Sequence, residues 1–597
     1  MKITPNSLTV NQIFSSANEQ YTIPSYQRRY SWSKPQIQDL ISDIKFLEGG
    51  DTHLMGSIVC LIGDHTAGIN RLDLVDGQQR LTSIVILLEC IRQHFEGNGQ
   101  AEQAADLARL LRARSVTGTQ QPKLRLDSMD QADFETLLSK NSDHIPKNLR
   151  LADVFRIVRE WISQSSMDDL LHFHYRLLNQ ALIIRLDVGN AKDAFKLFET
   201  INNRGLRLSP TDIIKNFVLG NAARFGLEHL EAARASWSDL LTKLDGINSD
   251  VFFRYFLMTR VGQRLTRSEV VPAFKNLFMQ RVTEAAALPD RHQYTAEPDE
   301  EDEDDPLEAP EAGEEQDAEH PAASSISDIS FGEFLRLLVR NGRIFSELLS
   351  CSTGNPRIDR SLRNLKMIKA VQTYGFLMHL RSAGCDDRVF LDVLKLTESF
   401  VLRRHTCRER ANETEALFAA LSSIDARDPL ARVQESYRRL SPSDATFREE
   451  FARTKFVSNV MDRARYCLEQ IEMSRHGAHA ELQVLGSDDV HIEHIIPQKI
   501  KTKNSKAKFG DWIKYLGENA KKRHPEYVGR IGNLTLFSGE LNIAASNNPF
   551  GKKKPAYKKS SLLLTQEIAG LGAFRFAQVE ARSRSLAEDA LKLWPIP

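Results

Sequence analysis

Two stretches near the C-terminus decide how that part of the chain folds: VHIEHIIPQ, residues 490–498, and IGNLTLFSGELN, residues 531–542. Both contain an apolar run of strand length, and the second continues into a helical pattern. Successive side chains of a strand point to opposite faces, so Glu493 and His494 can share one site only if the strand ends there. Pro497 is compatible with such an end. The pattern therefore predicts two strands and a helix around one polar site.

The polar residues of these stretches suit the hydrolysis of a phosphodiester bond. His494 is the candidate general base, because an imidazole titrates close to neutral pH. Glu493 offers a hard oxygen ligand to Mg²⁺ or Mn²⁺, and Asn542 would be the second ligand, on the helix. Asn533, nine residues before Asn542, would hold the histidine loop. Such an ion stabilises the charge that develops on the phosphate and on its leaving oxygen.

Three further residues are candidates for a supporting role in this site. His491 could be a spare ligand, although a histidine on a surface strand is the simpler interpretation, and Asn547 could belong to the site or cap a helix. Lys553 is one of many cations that lie between and after the two strands. Cations beside a hydrolytic site are what phosphate contact requires. The alternative is an ordinary α+β domain with scattered polar residues.

The net charge of zero hides an uneven distribution. Fourteen carboxylates lie between Glu297 and Glu319, a stretch without Lys or Arg, so the rest of the chain carries an excess of about fourteen positive charges. A basic body with an acidic segment is typical of a polyanion-binding protein. We expect residues 294–325 to be a disordered insertion, either a tolerated surface loop or a mimic of DNA that covers a basic groove.

Composition argues against several classes of protein. No apolar run approaches the roughly 20 residues of a membrane span, and the opening MKITPNSLTVNQIF lacks the apolar stretch of a secretory signal. The six cysteines are scattered without a CxxC pair, which argues against a disulfide framework and a zinc knuckle. We therefore expect a cytoplasmic protein without a membrane partner.

Near the N-terminus, IPSYQRRYSW (residues 23–32) interleaves aromatic and basic side chains. Aromatic rings stack on bases and arginines meet phosphates, so contact with DNA and sensing of its modification are plausible here. The alternative is a strand whose aromatic side chains face the core. The candidate sensing residues are Tyr26, Gln27, Arg28, Tyr30 and Trp32.

A second N-terminal stretch, RLDLVDGQQRLTSIVILL (residues 71–88), runs from an apolar strand through a tight turn into a helix. The free N–H groups and the dipole of a helix N-terminus attract anions, and Arg80 can bind a phosphate in a two-pronged way. A capped, buried helix with Leu81, Ile84, Val85 and Leu88 on its apolar face explains the pattern equally well. The candidate nucleotide-binding residues are Asp76, Gly77, Gln78, Gln79 and Arg80.

A third stretch, FETINNRGLRLSPTDIIKNF (residues 198–217), predicts a bend between two helices. Ser209 and Pro210 begin the second helix in good N-capping order. Capping does not explain why Asn203, Arg204 and Lys215 all accumulate at this bend. We therefore assign these three residues a supporting role in the N-terminal site.

These motifs together resemble a known family. HIEHIIPQ followed by GNLTLFSGELNIAASNNPFGKKKPAY resembles the nuclease half of GmrSD-type, modification-dependent (Type IV) restriction enzymes. His494, Asn533 and Asn542 then stand where HNH endonucleases carry their signature residues, whereas Glu493 replaces the more common Asp. YQRRYSW, DGQQR and FETINNRG with SPTDIIKN resemble the ParB/sulfiredoxin-like sensor half.

The resemblance implies hydrolysis of a nucleoside triphosphate at the DGQQR region and a nuclease that is licensed when modified DNA is recognised. Relatives of the SspE-like and BrxU-like kind read sugar-modified cytosines or backbone phosphorothioates. The implied cofactors are a divalent metal and GTP, ATP, UTP or CTP. The implied partner is double-stranded modified DNA, and a homodimer is left open.

The expected fold is therefore α+β and multi-domain. A ParB-like α/β domain (residues 1–225) is followed by a helical connecting region (226–443) and a ββα-metal HNH nuclease domain (444–597). The expected function is cleavage of modified phage DNA by an NTP-regulated, metal-dependent endonuclease. The alternatives are an abortive-infection nuclease that acts on RNA or host DNA, and a DNA-sensing NTPase whose HNH remnant only grips DNA.

Overall fold

A computed structural model describes residues 3–48, 50–139, 146–202, 209–288, 328–477, 489–500 and 511–597. The chain is a mixed α+β protein with two compact units. Among the described residues, the first unit holds residues up to 254 together with 266–288 and 328–343, and the second holds 255–265 and the rest from 344 onward. The acidic insertion predicted at residues 294–325 lies outside the described residues, and the division into three domains stays a prediction.

A six-stranded mixed sheet organises the first unit, in the order β1-β8-β3-β4-β2-β7. Strands β3 and β4 form an antiparallel hairpin, whereas β2 pairs with β4 in parallel. The hairpin turn at Ala67 and Gly68 has positive φ at both residues, which matches the right-handed twist of the strands it joins. The strands of the first unit are β1 Ile3–Thr9, β2 Glu19–Thr22, β3 His53–Thr66, β4 Ile69–Asp76, β5 Arg112–Arg114, β6 Gln120–Pro122, β7 Leu124–Arg125 and β8 Ala181–Val188.

Helices pack against the sheet of the first unit, among them α1, α7 and α8. The helices up to residue 350 are α1 Val10–Ser15, α2 Lys34–Lys45, α3 Gln78–Gly97, α4 Ala101–Leu110, α5 Gln131–Ser139, α6 Leu149–Gln164, α7 Met167–Asn179, α8 Ala191–Asn202, α9 Pro210–Phe225, α10 Leu227–Lys243, α11 Ser249–Val261, α12 Val270–Arg281, α13 Thr283–Ala286 and α14 Phe331–Ser350. Helix α3 is the central one, because most of its length is buried.

The sequence predicted several of these elements correctly. The apolar face expected for α3, formed by Leu81, Ile84, Val85 and Leu88, is buried in the core of the first unit. Ser209 caps α9 by accepting a hydrogen bond from the N–H of Asp212, with Pro210 in the first turn. The strand considered as an alternative for residues 23–32 does not form, because β2 ends at Thr22 and the chain continues as a loop until α2.

The second unit is mainly helical and contains a small two-stranded sheet. Strands β9 Val490–His494 and β10 Leu534–Ser538 pair antiparallel, with His494 opposite Leu534 and Glu493 opposite Thr535. The remaining helices are α15 Pro356–Met367, α16 Tyr374–Ser382, α17 Asp387–Thr406, α18 Ala411–Leu421, α19 Leu430–Leu440, α20 Asp444–Arg453, α21 Met461–Arg475, α22 Trp512–Leu516, α23 Ala520–Tyr527, α24 Gly539–Ala545, α25 Phe550–Lys559, α26 Leu563–Ala569 and α27 Phe576–Leu593.

A buried carboxylate ties together three helices of the second unit. Oε2 of Glu398 on α17 accepts hydrogen bonds from the Tyr466 hydroxyl at 2.9 Å and from Nδ2 of Asn364 at 3.0 Å. The Tyr466 hydroxyl in turn accepts a hydrogen bond from Nε1 of Trp594. Burial raises the pKa of Glu398 to about 7. None of the helices in the described parts of the chain has the length and apolar character needed to cross a membrane.

Candidate functional site

The C-terminal site is built on the last residue of β9 and the bend that follows it. Because the side chains of a strand alternate, Glu493 points into the core and is buried, whereas His494 is only half-buried. The strand ends at His494, and a bend leads through Ile495 to Pro497. The two neighbouring side chains can therefore serve one site.

Asn533, the residue just before β10, fixes this bend. Its side chain is fully buried; Oδ1 accepts a hydrogen bond from the N–H of Ile496 at 2.8 Å, and Nδ2 donates to the Ile496 carbonyl at 3.0 Å. Nδ2 also donates to the carbonyl of Val528. One amide thus satisfies three backbone groups and holds the segment that follows His494.

A pocket of about 550 Å³ opens beside these residues. Some of the polar residues that line the pocket were candidates from the sequence, and others were not. The predicted residues in the lining are His491, Glu493, His494 and Asn547, and the missed ones include Asp462, Arg465 and Gln498. Arg465 donates to the carbonyl of Val490 and so anchors the start of β9 from helix α21.

Helix α24 carries Asn542 on the side of the helix that meets β9. A Cβ atom placed on Gly539 would lie 3.3 Å from Cε1 of His491, so this ring packs against the first turn of the helix. Residues three apart share one face of a helix, which puts Asn542 on the face of Gly539. Asn542 is nevertheless absent from the described residues that line the pocket.

Glu493 is held by two donors from one face of α25. Its Oε1 lies 2.5 Å from Nζ of Lys553 and 3.1 Å from the hydroxyl of Tyr557. The Lys553 ammonium also donates to the carbonyls of His494 and Ile495. Burial raises the pKa of Glu493, and the neighbouring ammonium opposes that rise. Tyr557 was missed, although its spacing of four residues from Lys553 predicts a shared helix face.

His494 carries an imidazole whose environment favours the neutral form. Burial, the Lys553 ammonium and His524 together lower the pKa of His494 to about 4. Nε2 of Gln498 lies 3.1 Å from Nε2 of His494 and donates to it. A neutral imidazole beside an open pocket can accept a proton from a bound water.

The carboxylates that line the pocket are of the type that a hard divalent cation prefers. Among the described residues, no group of three or more His, Cys, Asp or Glu side chains could hold a metal. Glu493 supplies an oxygen donor of the kind that Mg²⁺ and Mn²⁺ prefer, whereas Asn542, the other expected ligand, is not among the described residues that line the pocket. A divalent ion would have to compete with Lys553 for the carboxylate of Glu493.

The DGQQR motif lies where β4 passes into α3. Gly77 has a φ of +84°, and a Cβ there would lie 2.5 Å from Cγ2 of Ile58, so this turn requires glycine. Gln78 donates to the carbonyl of Arg28, and Gln79 donates to that of Arg29 and accepts from the N–H of Ser31. The two glutamines thus fasten the 23–33 loop to the helix.

The other two candidates of this motif also have partners within the chain. Arg80 donates to the carbonyl of Ser57 at 2.9 Å and packs against Gly56. Burial raises the pKa of Asp76. The N–H of Gly77 and the charges of Arg80 and Lys215 oppose that rise. The cavity beside Gln78 and Gln79 measures about 10 Å³, whereas a small-molecule site needs about 300 Å³ or more.

A buried charge network lies close to Asp76. Lys215 on α9 is buried and donates to Oε1 of Gln27 and to Oδ1 of Asp212. Gln27 donates to the carbonyls at the end of β4, and the exposed Arg28 lies 3.6 Å from Asp212. The structure brings Lys215 and Gln27 together, a contact that the sequence analysis did not predict, whereas Asn203 and Arg204 lie outside the described residues.

The aromatic candidates of the 23–33 loop face the core. Tyr26 is buried between Phe195 and the guanidinium of Arg234. Tyr30 is also buried, with its hydroxyl 2.6 Å from Oγ of Ser83, and Trp32 packs partly buried against the same core. The rings of Tyr26 and Tyr30 are therefore occupied by contacts within the chain. The structure agrees with the alternative in that aromatic side chains face the core. They lie on a loop, however, and not on a strand.

Two models of known protein families match this chain, one in its N-terminal part and one in its C-terminal part. The family model described as "GmrSD restriction endonuclease, N-terminal domain" matches residues 10–219. The model described as "GmrSD restriction endonucleases, C-terminal domain" matches residues 441–589. The first match contains the DGQQR turn and the charge network, and the second contains the His494 pocket. No curated protein matches the chain.

Proposed function

This chain belongs to the GmrSD restriction endonuclease family, a family of nucleases that restrict modified DNA, and we propose on that basis that the His494 pocket is its cleavage site. One observation carries the proposal. A half-buried imidazole lies beside a carboxylate at the end of a strand, and Asn533 clamps the segment that follows. The proposed reaction is metal-dependent hydrolysis of a phosphodiester bond by an HNH-type site.

In this reaction His494 removes a proton from a water molecule in the pocket. The oxygen of that water forms a bond to phosphorus while the bond from phosphorus to the leaving sugar oxygen breaks. Asn533 orients the histidine through the backbone of the bend, and Glu493 and Asn542 would hold the divalent ion. When bound, that ion would stabilise negative charge on the phosphate and on the leaving oxygen.

Regulation by a nucleoside triphosphate is the second part of the proposal. Its support is the set of cations and helix N–H groups near Asp76, where Arg28, Arg80 and Lys215 bring positive charge to the start of α3. Because the adjoining cavity is only about 10 Å³, a nucleotide can enter only if the 23–33 loop leaves Gln78 and Gln79. Such a movement would couple nucleotide binding to the loop.

One alternative has a specific observation in its favour. The ion pair between Lys553 and Glu493 uses the carboxylate that a metal needs, as expected of a DNA-sensing NTPase whose nuclease domain only grips DNA.

The abortive-infection alternative predicts toxicity in a host without phage. Induced expression in such a host separates it from restriction of modified DNA.

Digestion of matched DNA tests the proposal. Two duplexes of one sequence, one carrying modified bases or backbone and one plain, are incubated with the purified chain, with each nucleoside triphosphate, and with Mg²⁺ or EDTA. The expected result is cleavage of a modified duplex only, dependent on Mg²⁺ and altered by one or more nucleotides. Absence of cleavage in every metal arm, with binding intact, would favour the DNA-gripping alternative.

A further inference from the structure

Helix α27, near the C-terminus, packs against the short segment that carries Asn533. A Cβ atom on Gly532 would collide with the carbonyl oxygen of Val579, so a glycine is needed for the segment to approach the backbone of the helix this closely. The N–H of Gly532 donates a hydrogen bond of 3.1 Å to Oγ of Ser583, which is buried. The segment is therefore seated directly on α27.

One side chain of α27, that of Arg582, binds the carbonyls on both sides of Asn533. Its Nη1 donates to the carbonyl of Gly532 at 3.0 Å and to that of Leu534 at 2.6 Å. The carbonyl that lies between these two, that of Asn533, accepts a hydrogen bond of 3.0 Å from the N–H of Ile495 on the bend. The helix thus holds the neighbours of Asn533, and Asn533 holds the bend.

The guanidinium of Arg582 is removed from water to make these bonds. Burial lowers the pKa of Arg582 to about 10, and the charge of Glu567 opposes that fall. Taking a charged group out of water costs free energy that its hydrogen bonds have to offset. The acceptors of those bonds are backbone carbonyls around Asn533, so the buried arginine fixes the course of this part of the backbone.

We propose that Arg582 is a positioning residue for the cleavage reaction, which acts through Asn533 on the bend that follows His494. The inference rests on the proposed function, because it assigns Arg582 a part in the reaction of the same site. By fixing the carbonyls on both sides of Asn533, the guanidinium fixes the amide that binds the N–H and the carbonyl of Ile496. Small displacements of a reacting group slow a reaction strongly, so the rate depends on this support.

The same geometry separates the rate from the binding of DNA. Arg582 is not among the described residues that line the His494 pocket, so its loss should leave the contacts of that pocket with DNA in place. A contact with the substrate would lower affinity, whereas a misplaced general base lowers the rate of the bound complex. The two effects are measured separately.

Two substitutions on one helix test the inference. Arg582→Met removes the guanidinium, and the control Arg584→Met removes an exposed arginine that pairs with Glu580. Hydrogen–deuterium exchange of the full chain is followed by mass spectrometry in the peptide that contains Ile495 and Ile496, and exchange of the other peptides verifies the fold. Single-turnover cleavage of modified DNA, under the conditions in which the wild type cleaves, and affinity for the same DNA in EDTA are measured in parallel.

The expected result is faster exchange of the bend and slower cleavage in the Arg582 variant alone. The N–H groups of Ile495 and Ile496 both bond to Asn533, so they should exchange faster when Asn533 is less firmly held. Cleavage should slow by about 10- to 100-fold, the size of effect that a misplaced reacting group produces. DNA affinity should be unchanged, and Arg584→Met should match the wild type in all three measurements.

The inference is overturned if the bend exchanges as in the wild type, or if it exchanges faster while cleavage is unchanged. Weaker DNA binding by the Arg582 variant would also overturn it. Arg582→Lys carries the test if Arg582→Met does not fold: its shorter side chain keeps the charge but weakens the bonds to the carbonyls, so both effects should appear at smaller size, and wild-type exchange would overturn the inference. A wild type that binds modified DNA without cleaving it would instead contradict the proposed function, and with it any part of Arg582 in the reaction.

Discussion

The ammonium of Lys553 lies 2.5 Å from Oε1 of Glu493, and its side chain is fully buried. The same ammonium contacts the carbonyls of His494 and Ile495. One lysine therefore ties helix α25 to the end of β9 and to the bend that carries the candidate base. Removing one partner of a buried ion pair leaves the other charge without compensation.

Lys553→Met should lower the free energy of unfolding by about 3 kcal/mol, the loss typical of a broken buried pair. Lys552→Met, on the same helix but exposed, should change it by less than about 0.5 kcal/mol. Urea denaturation of both variants measures the difference. Adding Glu493→Gln to the Lys553 variant should recover part of the loss, and equal losses for the two single variants would contradict the pairing.

His494→Ala should slow cleavage of modified DNA by about 100- to 10,000-fold, because a general base contributes on that order to a rate. Its DNA affinity and its unfolding midpoint should stay close to those of the wild type. The matched control is His172→Ala, an exposed histidine of the first unit, and it should cleave normally. If the His494 variant cleaves at the wild-type rate, then His494 is not the general base.

Asn533→Ala should destabilise the chain and also reduce cleavage. The substitution leaves the buried N–H and carbonyl of Ile496 and the carbonyl of Val528 without the amide, at a cost of about 1–3 kcal/mol for each unsatisfied group. Chemical denaturation and the cleavage rate are measured together. Asn179→Ala, which removes one exposed hydrogen bond to Tyr175, is the control and should alter neither quantity appreciably.

The sequence predicts best where local chemistry alone decides the outcome. The spacing of apolar residues places α3, and the Ser209 cap follows from short-range hydrogen bonding. The end of β9 at His494 follows from strand alternation and a nearby proline. Each of these depends on residues within a few positions of one another, so no knowledge of the tertiary structure is needed.

The sequence predicts least where contacts join distant segments. Tyr26 and Tyr30 are residue types that can stack on bases, but their contacts with Phe195 and Ser83 orient both rings toward the core. Arg465 lies 25 residues before Val490, and no local pattern indicates their hydrogen bond. The partners of Gln78 and Gln79 lie about 50 residues away in the sequence. The motif alone therefore does not indicate that the two glutamines hold a loop.

Glu398 should make stability depend on pH in a definite direction. Burial raises its pKa to about 7 in the folded chain, whereas a glutamate in an unfolded chain titrates near 4.3. The protonated carboxyl therefore stabilises the fold below about pH 4.3, and that contribution is lost as the pH rises through about 7. Glu398→Gln does not titrate, so it should gain on the order of 3 kcal/mol relative to the wild type between pH 4 and 8.

Urea denaturation at several pH values measures this difference. The control is Glu435→Gln, an exposed residue of the same unit that pairs with Arg432. Its stability relative to the wild type should stay nearly constant over the same range. A difference for the Glu398 variant that does not grow with pH would contradict a buried, protonated carboxyl.

Gln79→Ala should destabilise the chain even when no nucleotide is present. The Gln79 side chain is buried, accepts from the N–H of Ser31 at 2.9 Å and donates to the carbonyl of Arg29 at 3.3 Å, so its loss should cost about 1–3 kcal/mol. Gln120→Ala, exposed on β6, is the control and should be neutral. If the Gln79 variant unfolds like the wild type without nucleotide but loses the stabilisation that a nucleoside triphosphate gives, then the residue binds nucleotide and does not fasten the loop.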